Sequence, residues 1–252
     1  FPGTRNMPFK TLERAVHAAQ NFFQQNENED CLIWLNAGDY FITNPLELKA
    51  AYLKNGNNHL YFQSIAEEEK PLISGGKKVT GWKKNSDGLW EAEISGPEKI
   101  REVFLDGKRL IRARHPNNGY LRVKKVGEDR RTNFYFKDGD FTIPEKPDLP
   151  ELVLLHDWST SRIQVKEIDG VENKMTAVDS IGARNPSFFN LDHWEPDPRY
   201  YLENSFQFLD GDYEWFFAEK SQKIYLQLPD SINPNDSEVF VPVSEGIVKM
   251  TG

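Results

Sequence analysis

Two acidic residues in this chain have neighbours that favour acid chemistry. Glu203 is set among Tyr200, Tyr201, Leu202 and Phe206, and Glu214 lies between Tyr213 and Trp215. Apolar surroundings raise a carboxyl pKa, and an acid that stays protonated near neutrality can hand its proton to a leaving group. With a second, ionised carboxylate about 5 to 9.5 Å away, such an acid can cleave the bond between two sugars. The chain carries 39 Asp and Glu residues, so the sequence does not select that pair. An acid beside a strand is also commonly solvated or paired with arginine. The catalytic residues are therefore left unassigned, and Glu203 with its neighbour Asn204 is retained as a ligand contact.

Three other clusters carry binding chemistry. Arg112-Ala-Arg-His-Pro-Asn117 packs two guanidiniums, an imidazole and an amide into one strand end. Alternation along a strand places Arg112 and Arg114 on one face and His115 on the other. Paired guanidiniums can clamp a carboxylate or hydroxyls by forked hydrogen bonds. The alternative is internal bridging to carboxylates, between an inserted domain and the rest of the chain. Trp158-Ser-Thr-Ser-Arg162 offers an aromatic platform, three hydroxyls and a cation. Asp192-His193-Trp194-Glu195, close to Pro196 and Pro198, reads as a polar and aromatic loop. The candidate ligand contacts are thus Arg114, His115, Trp158, Arg162, Glu203 and Asn204.

No cofactor or metal is expected. The five histidines include no pair at zinc-ligand spacing, and no acidic segment matches a calcium-binding loop. Ser74-Gly-Gly-Lys-Lys78 lacks the first half of a phosphate-binding loop, and no Gly-x-Ser-x-Gly elbow is present. The single cysteine, Cys31, excludes an intrachain disulfide and reads as apolar filler. A net charge of −8 argues against nucleic acid as a partner. No stretch approaches the roughly 18 apolar residues of a membrane span.

These clusters need elements to hold them. Leu12, Ala15, Val16, Ala19, Phe22 and Phe23 recur at helical spacing behind Thr11, a suitable N-cap. Short apolar runs follow at Leu32–Leu35, Tyr40–Ile42, Leu46–Leu48, Leu60–Phe62 and Leu72–Ser74. They are punctuated by Gly38, Pro45, the Asn55–Asn58 cluster and Pro71. The order looks like a capping helix and the first coils of a right-handed parallel β-helix, although a β-sandwich also fits. From Val79 the segments lengthen and alternate. Asp106-Gly107 predicts a tight hairpin, and Asp138-Gly139, Asp169-Gly170 and Asp210-Gly211 give similar signals. Pro144–Pro150 is the best internal linker. The expected organisation is a cap helix and first coils over 1–78, an inserted antiparallel β-domain over 79–239, and a return strand over 240–252. The chain stops as if another coil were due.

The ordered series Pro8-Phe-Lys-Thr-Leu-Glu-Arg-Ala15, Pro71-Leu-Ile-Ser-Gly-Gly76 with Gly81-Trp82, Arg112–Asn117, Trp158–Arg162, Tyr200-Tyr-Leu-Glu-Asn-Ser205 and Glu214-Trp215 resembles the N-terminal half of parallel β-helix proteins of carbohydrate metabolism. Glycoside hydrolase family 141 is the particular resemblance. It implies a secreted, periplasmic or cell-surface bacterial protein acting on plant or microbial polysaccharide. It also implies that the inserted domain walls the substrate cleft and that the catalytic acids lie on later coils of the same polypeptide. A non-catalytic glycan-binding module and a polysaccharide lyase remain the alternatives.

Overall fold

The computed structural model describes residues 2–26, 28–49, 58–68, 70–96, 99–144, 149–182 and 189–251. Most of the Asn55–Asn58 turn cluster and the middle of the Pro144–Pro150 linker lie outside the described residues. The chain divides into two compact units, residues 1–78 with 240–252, and residues 79–239.

The first unit begins with the helix Leu12–Gln25, where Thr11 Oγ1 accepts the Arg14 backbone N–H at 3.2 Å. That bond satisfies one of the four N–H groups that a helix start leaves unpaired. The apolar stripe buries Leu12, Val16, Ala19 and Phe23, and Leu12 and Val16 pack with Leu35, Ile42 and Leu46 from the strands below. Cys31–Leu35 pairs in parallel with Leu60–Ser64, and Asp39–Phe41 pairs in parallel with Leu72–Ser74. Leu46–Lys49 takes Val248–Thr251 as its parallel partner. Three successive strands therefore meet three later strands in the same order. Cys31 is half-buried, and burial pushes its thiol pKa up, which keeps it protonated.

The second unit is built on two sheets. In the larger, eight-stranded one, Arg114–His115, Arg199–Glu203, Glu151–Leu155, Thr160–Asp169, Lys174–Ala177 and Asn133–Tyr135 lie side by side, every pair antiparallel. Alternation sorts its side chains. Leu152, Leu154, Val165, Met175, Tyr200 and Leu202 point into one core with Phe134, Phe208 and Phe216. The intervening Glu151, Arg162, Tyr201 and Glu203 are left on the opposite face. The smaller sheet contains Glu214–Ala218, Lys223–Gln227 and Trp90–Glu93. Its Phe216 joins the same core.

The unit is not uniformly antiparallel, because Ile111–Arg112 runs parallel to Glu214–Trp215. The turn signals also differ in outcome. Asp106 and Gly107, with φ of 47° and 75°, make the tight hairpin between Phe104–Leu105 and Lys108–Arg109. Asp169-Gly170 instead opens a longer connection, in which Asp169 pairs with Lys174 and Asn173 takes the positive φ. Asp210-Gly211 is no hairpin. Both backbone N–H groups donate to the Glu214 carboxylate, at 3.2 and 3.0 Å, and close a loop before the strand.

Candidate functional site

A pocket of about 260 Å³ opens beside the tip of the hairpin joining Glu151–Leu155 to Thr160–Asp169. His156, Trp158, Ser159, Thr160, Ser161, Gly182, Phe189 and Trp194 line it. The tip supplies Trp158, and the proline-flanked loop supplies Trp194. Their ring centroids are 4.9 Å apart in an edge-to-face arrangement. Both indoles stay accessible, 66 % and 43 % exposed. Two large apolar rings facing solvent beside hydroxyls are costly to leave wet and suited to a ligand with both an apolar and a hydroxylated face.

A small polar set defines the floor. Ser161 Oγ lies 2.7 Å from His156 Nε2 and accepts the Gly182 N–H at 2.9 Å. The His156 ring packs edge-on against Phe189, centroids 4.4 Å apart. Burial lowers the His156 pKa, so the imidazole is neutral near pH 7. A depressed pKa in the fold means that the unfolded chain binds the proton first as pH falls. Stability should therefore decline as pH drops through about 6.5 toward the folded-state value. His156→Asn should show a shallower decline over that range in denaturant titrations at successive pH values, and equal slopes would exclude the pocket histidine as the cause.

The opposite face of the same sheet holds an ion network. Arg112 Nη1 donates to Glu151 Oε2 and to Glu203 Oε1, each at 2.8 Å. Arg101 pairs with Glu151, and Arg162 Nε with Glu203. Arg112 and both acids are buried, whereas Arg101 and Arg162 reach solvent. Burial opposes ionisation of Glu151, but the hydrogen bond from Arg112 and the charges of Arg112 and Arg101 outweigh it and hold the carboxyl below its ordinary range. Burial likewise opposes the charge on Arg162, and Glu203 reverses that, so the guanidinium is held firmly charged. The Arg114 guanidinium lies 3.8 Å over the Tyr201 ring, and Arg162 Nη2 is 3.4 Å from the Tyr201 hydroxyl.

The six sequence candidates therefore separate. Arg114, Arg162 and Glu203 come together around Tyr201. His115 turns into the core, where its ring lies 5.5 Å from Phe208 and Nε2 is 2.9 Å from the Asp140 carbonyl oxygen. The peptide bond that follows it, to Pro116, is cis. Asn204 ends its strand at φ 59° with its N–H on the Ala113 carbonyl, and its Oδ1 is buried without a hydrogen-bond partner among the described residues. Trp158 lines the pocket alone of the six. Arg162, only four residues on, does not share it, because the pleat turns Ser161 toward the pocket and Arg162 away. The internal bridging weighed for Arg112 is real but lies wholly within residues 79–239.

Sequence reasoning did not single out His156, Gly182, Phe189 or Glu151. Glu151 had a legible signal, an acid opening the apolar run Leu152-Val-Leu-Leu155. Glu214, the other acid weighed, has its pKa raised by burial and partly restored by the N–H groups of Gly211 and Asp210. Among the described residues, no group of three or more His, Cys, Asp or Glu side chains is placed to hold a metal ion. No helix among them is long and apolar enough to cross a membrane.

Over 99 % of its length the chain superposes on a solved structure described as a glycoside hydrolase, with a TM-score of 0.80 at 21 % identity. The chain spans 45 % of that protein's length. A second solved structure, the complex of XylC with xylose, aligns over 96 % of this chain and 29 % of its own at 15 % identity and a TM-score of 0.42, too loose a likeness to bear on the fold. No protein-family model matches the chain, and no curated protein matches it. The chain thus has a glycoside hydrolase-like, mainly β fold.

Proposed function

We propose that this chain is the N-terminal portion of a secreted or cell-surface bacterial glycoside hydrolase of the parallel β-helix kind, related to family 141, and that its 79–239 domain binds polysaccharide. The three parallel strand pairings in matching order support two opening coils. The observation that carries the binding role is the Trp158 and Trp194 pair standing over a hydroxyl-lined pocket. Indole faces stack on the C–H surface of a sugar ring, while Ser159, Thr160, Ser161 and His156 offer partners for its hydroxyls.

The same residues argue for binding before catalysis. Glu151 and Glu203, the buried acids that share a cluster, are both bonded to Arg112 and serve as its counter-ions. Glu214 is engaged by two backbone N–H groups. The catalytic pair is therefore assigned to the remaining coils of the polypeptide.

Isothermal titration calorimetry of this chain against a panel of neutral and acidic plant and microbial oligosaccharides tests the reading, with tryptophan fluorescence as a second readout. Saturable binding with a change in indole emission is expected. Heat and emission that stay flat across the panel would remove the binding role.

A further inference from the structure

The ion network is unbalanced in a way that names a ligand. Three guanidiniums, of Arg101, Arg112 and Arg162, meet two carboxylates, of Glu151 and Glu203, leaving one formal positive charge in excess. The carboxylates and Arg112 form the buried middle. Arg101 and Arg162 form the two ends, with side chains 46 % and 41 % exposed. The excess charge therefore faces water. Among the described residues, Arg101 Nε and Nη2 and Arg162 Nη1 make no hydrogen bond, so each end keeps donors in hand. A fourth guanidinium, of Arg114, lies over the Tyr201 ring that Arg162 also reaches and is fixed by the carbonyl oxygens of Pro116 and Gly119, at 2.9 and 2.8 Å.

In a protein of net charge −8, such an island attracts an anion locally while the rest of the surface repels a bulk polyanion. Arginine held by a buried carboxylate is also oriented before any ligand arrives, which reduces the entropy lost on binding. A planar carboxylate suits the N–H pattern of a guanidinium.

We propose that the Arg162 and Tyr201 end of the network binds the carboxylate of an acidic sugar, so that the polysaccharide recognised by this domain contains uronic acid. The carboxylate half of this inference rests on the charge imbalance, and the saccharide half rests on the glycan reading above.

The test compares a galacturonic acid trisaccharide with its methyl ester by calorimetry on this chain, at low and raised salt. The acid should bind about tenfold tighter than the ester at low salt, with the gap narrowing as salt screens it. Arg162→Gln and Tyr201→Phe should each shrink the gap by weakening the acid more than the ester. Either variant leaves Arg112 bonded to both buried acids, and a thermal melt confirms folding, so one serves if the other fails to fold. Trp158→Ala, on the other face of the sheet, should leave the gap between acid and ester unchanged. Equal affinity for acid and ester, or a gap that survives both the Arg162 and Tyr201 substitutions, overturns the proposal while leaving the tryptophan pocket standing. Failure to bind any sugar overturns both.

Discussion

Replacing Arg112 by methionine is expected to destabilise the protein by about 3 to 5 kcal/mol, the range found when one partner of a buried ion pair is removed. For a chain of this size that corresponds to a melting temperature lower by roughly 6 to 20 °C. The reason is specific to the arrangement. Arg112 is the hydrogen-bond partner common to Glu151 and Glu203, and without it two buried carboxylates face each other with only half-exposed guanidiniums at their outer sides. Its guanidinium also lies 5.5 Å over the Trp215 ring, a further contact that methionine only partly replaces.

The pH dependence separates charge from packing. In the native protein Glu151 has a depressed pKa, so its contribution to stability is present above the ordinary value of 4.5 and is lost as pH falls through the folded-state value. Removing Arg112 removes the largest influence that lowers this pKa and leaves burial, which raises it. Protonation of Glu151 then becomes easier, and the stability gap between variant and native protein should narrow on mild acidification. Denaturant titrations at pH 7 and pH 5 measure both gaps. A gap that is the same at both pH values would mean that the loss is one of packing. Replacing all three of Arg112, Glu151 and Glu203 by apolar residues should recover much of the stability, because it removes the charges together.

Features set by a few adjacent residues were legible in the sequence. Thr11 caps its helix, the apolar stripe of Leu12, Val16, Ala19 and Phe23 is the buried one, and Asp106-Gly107 turns the hairpin, because each depends on local backbone geometry. The site was harder to read because sequence neighbours in a strand are not neighbours in space. Tyr200 and Leu202 closely precede Glu203 in the chain, yet the pleat sends them into the core while Glu203 faces Arg112 and Arg162. The same alternation divides Ser161 from Arg162, while Trp158 lies before the strand, in the hairpin tip. Trp158 and Trp194 meet only because the hairpin and the loop fold toward one another, and no spacing rule connects them. Asp210-Gly211 misleads for a related reason, since the Glu214 carboxylate supplies the bonds that a hairpin ladder would have made.

Trp158→Ala is expected to weaken oligosaccharide binding by about 1 to 3 kcal/mol, roughly 5- to 150-fold in Kd, the cost of losing a central aromatic anchor. Because the side chain is 66 % exposed, its removal sacrifices little buried area in the unliganded protein. The stability change should stay within about 1 kcal/mol, most of it from the edge-to-face contact with Trp194. That contrast is the opposite of the one expected at Arg112, where stability falls and the pocket is untouched. Trp194→Ala should behave like Trp158→Ala, and the double variant should lose less than the sum of the two, since each ring positions the other. Additive losses would mean two independent platforms. Native affinity in Trp158→Ala would show that the pocket is not where sugar binds, and would turn attention to the arginine face across the sheet.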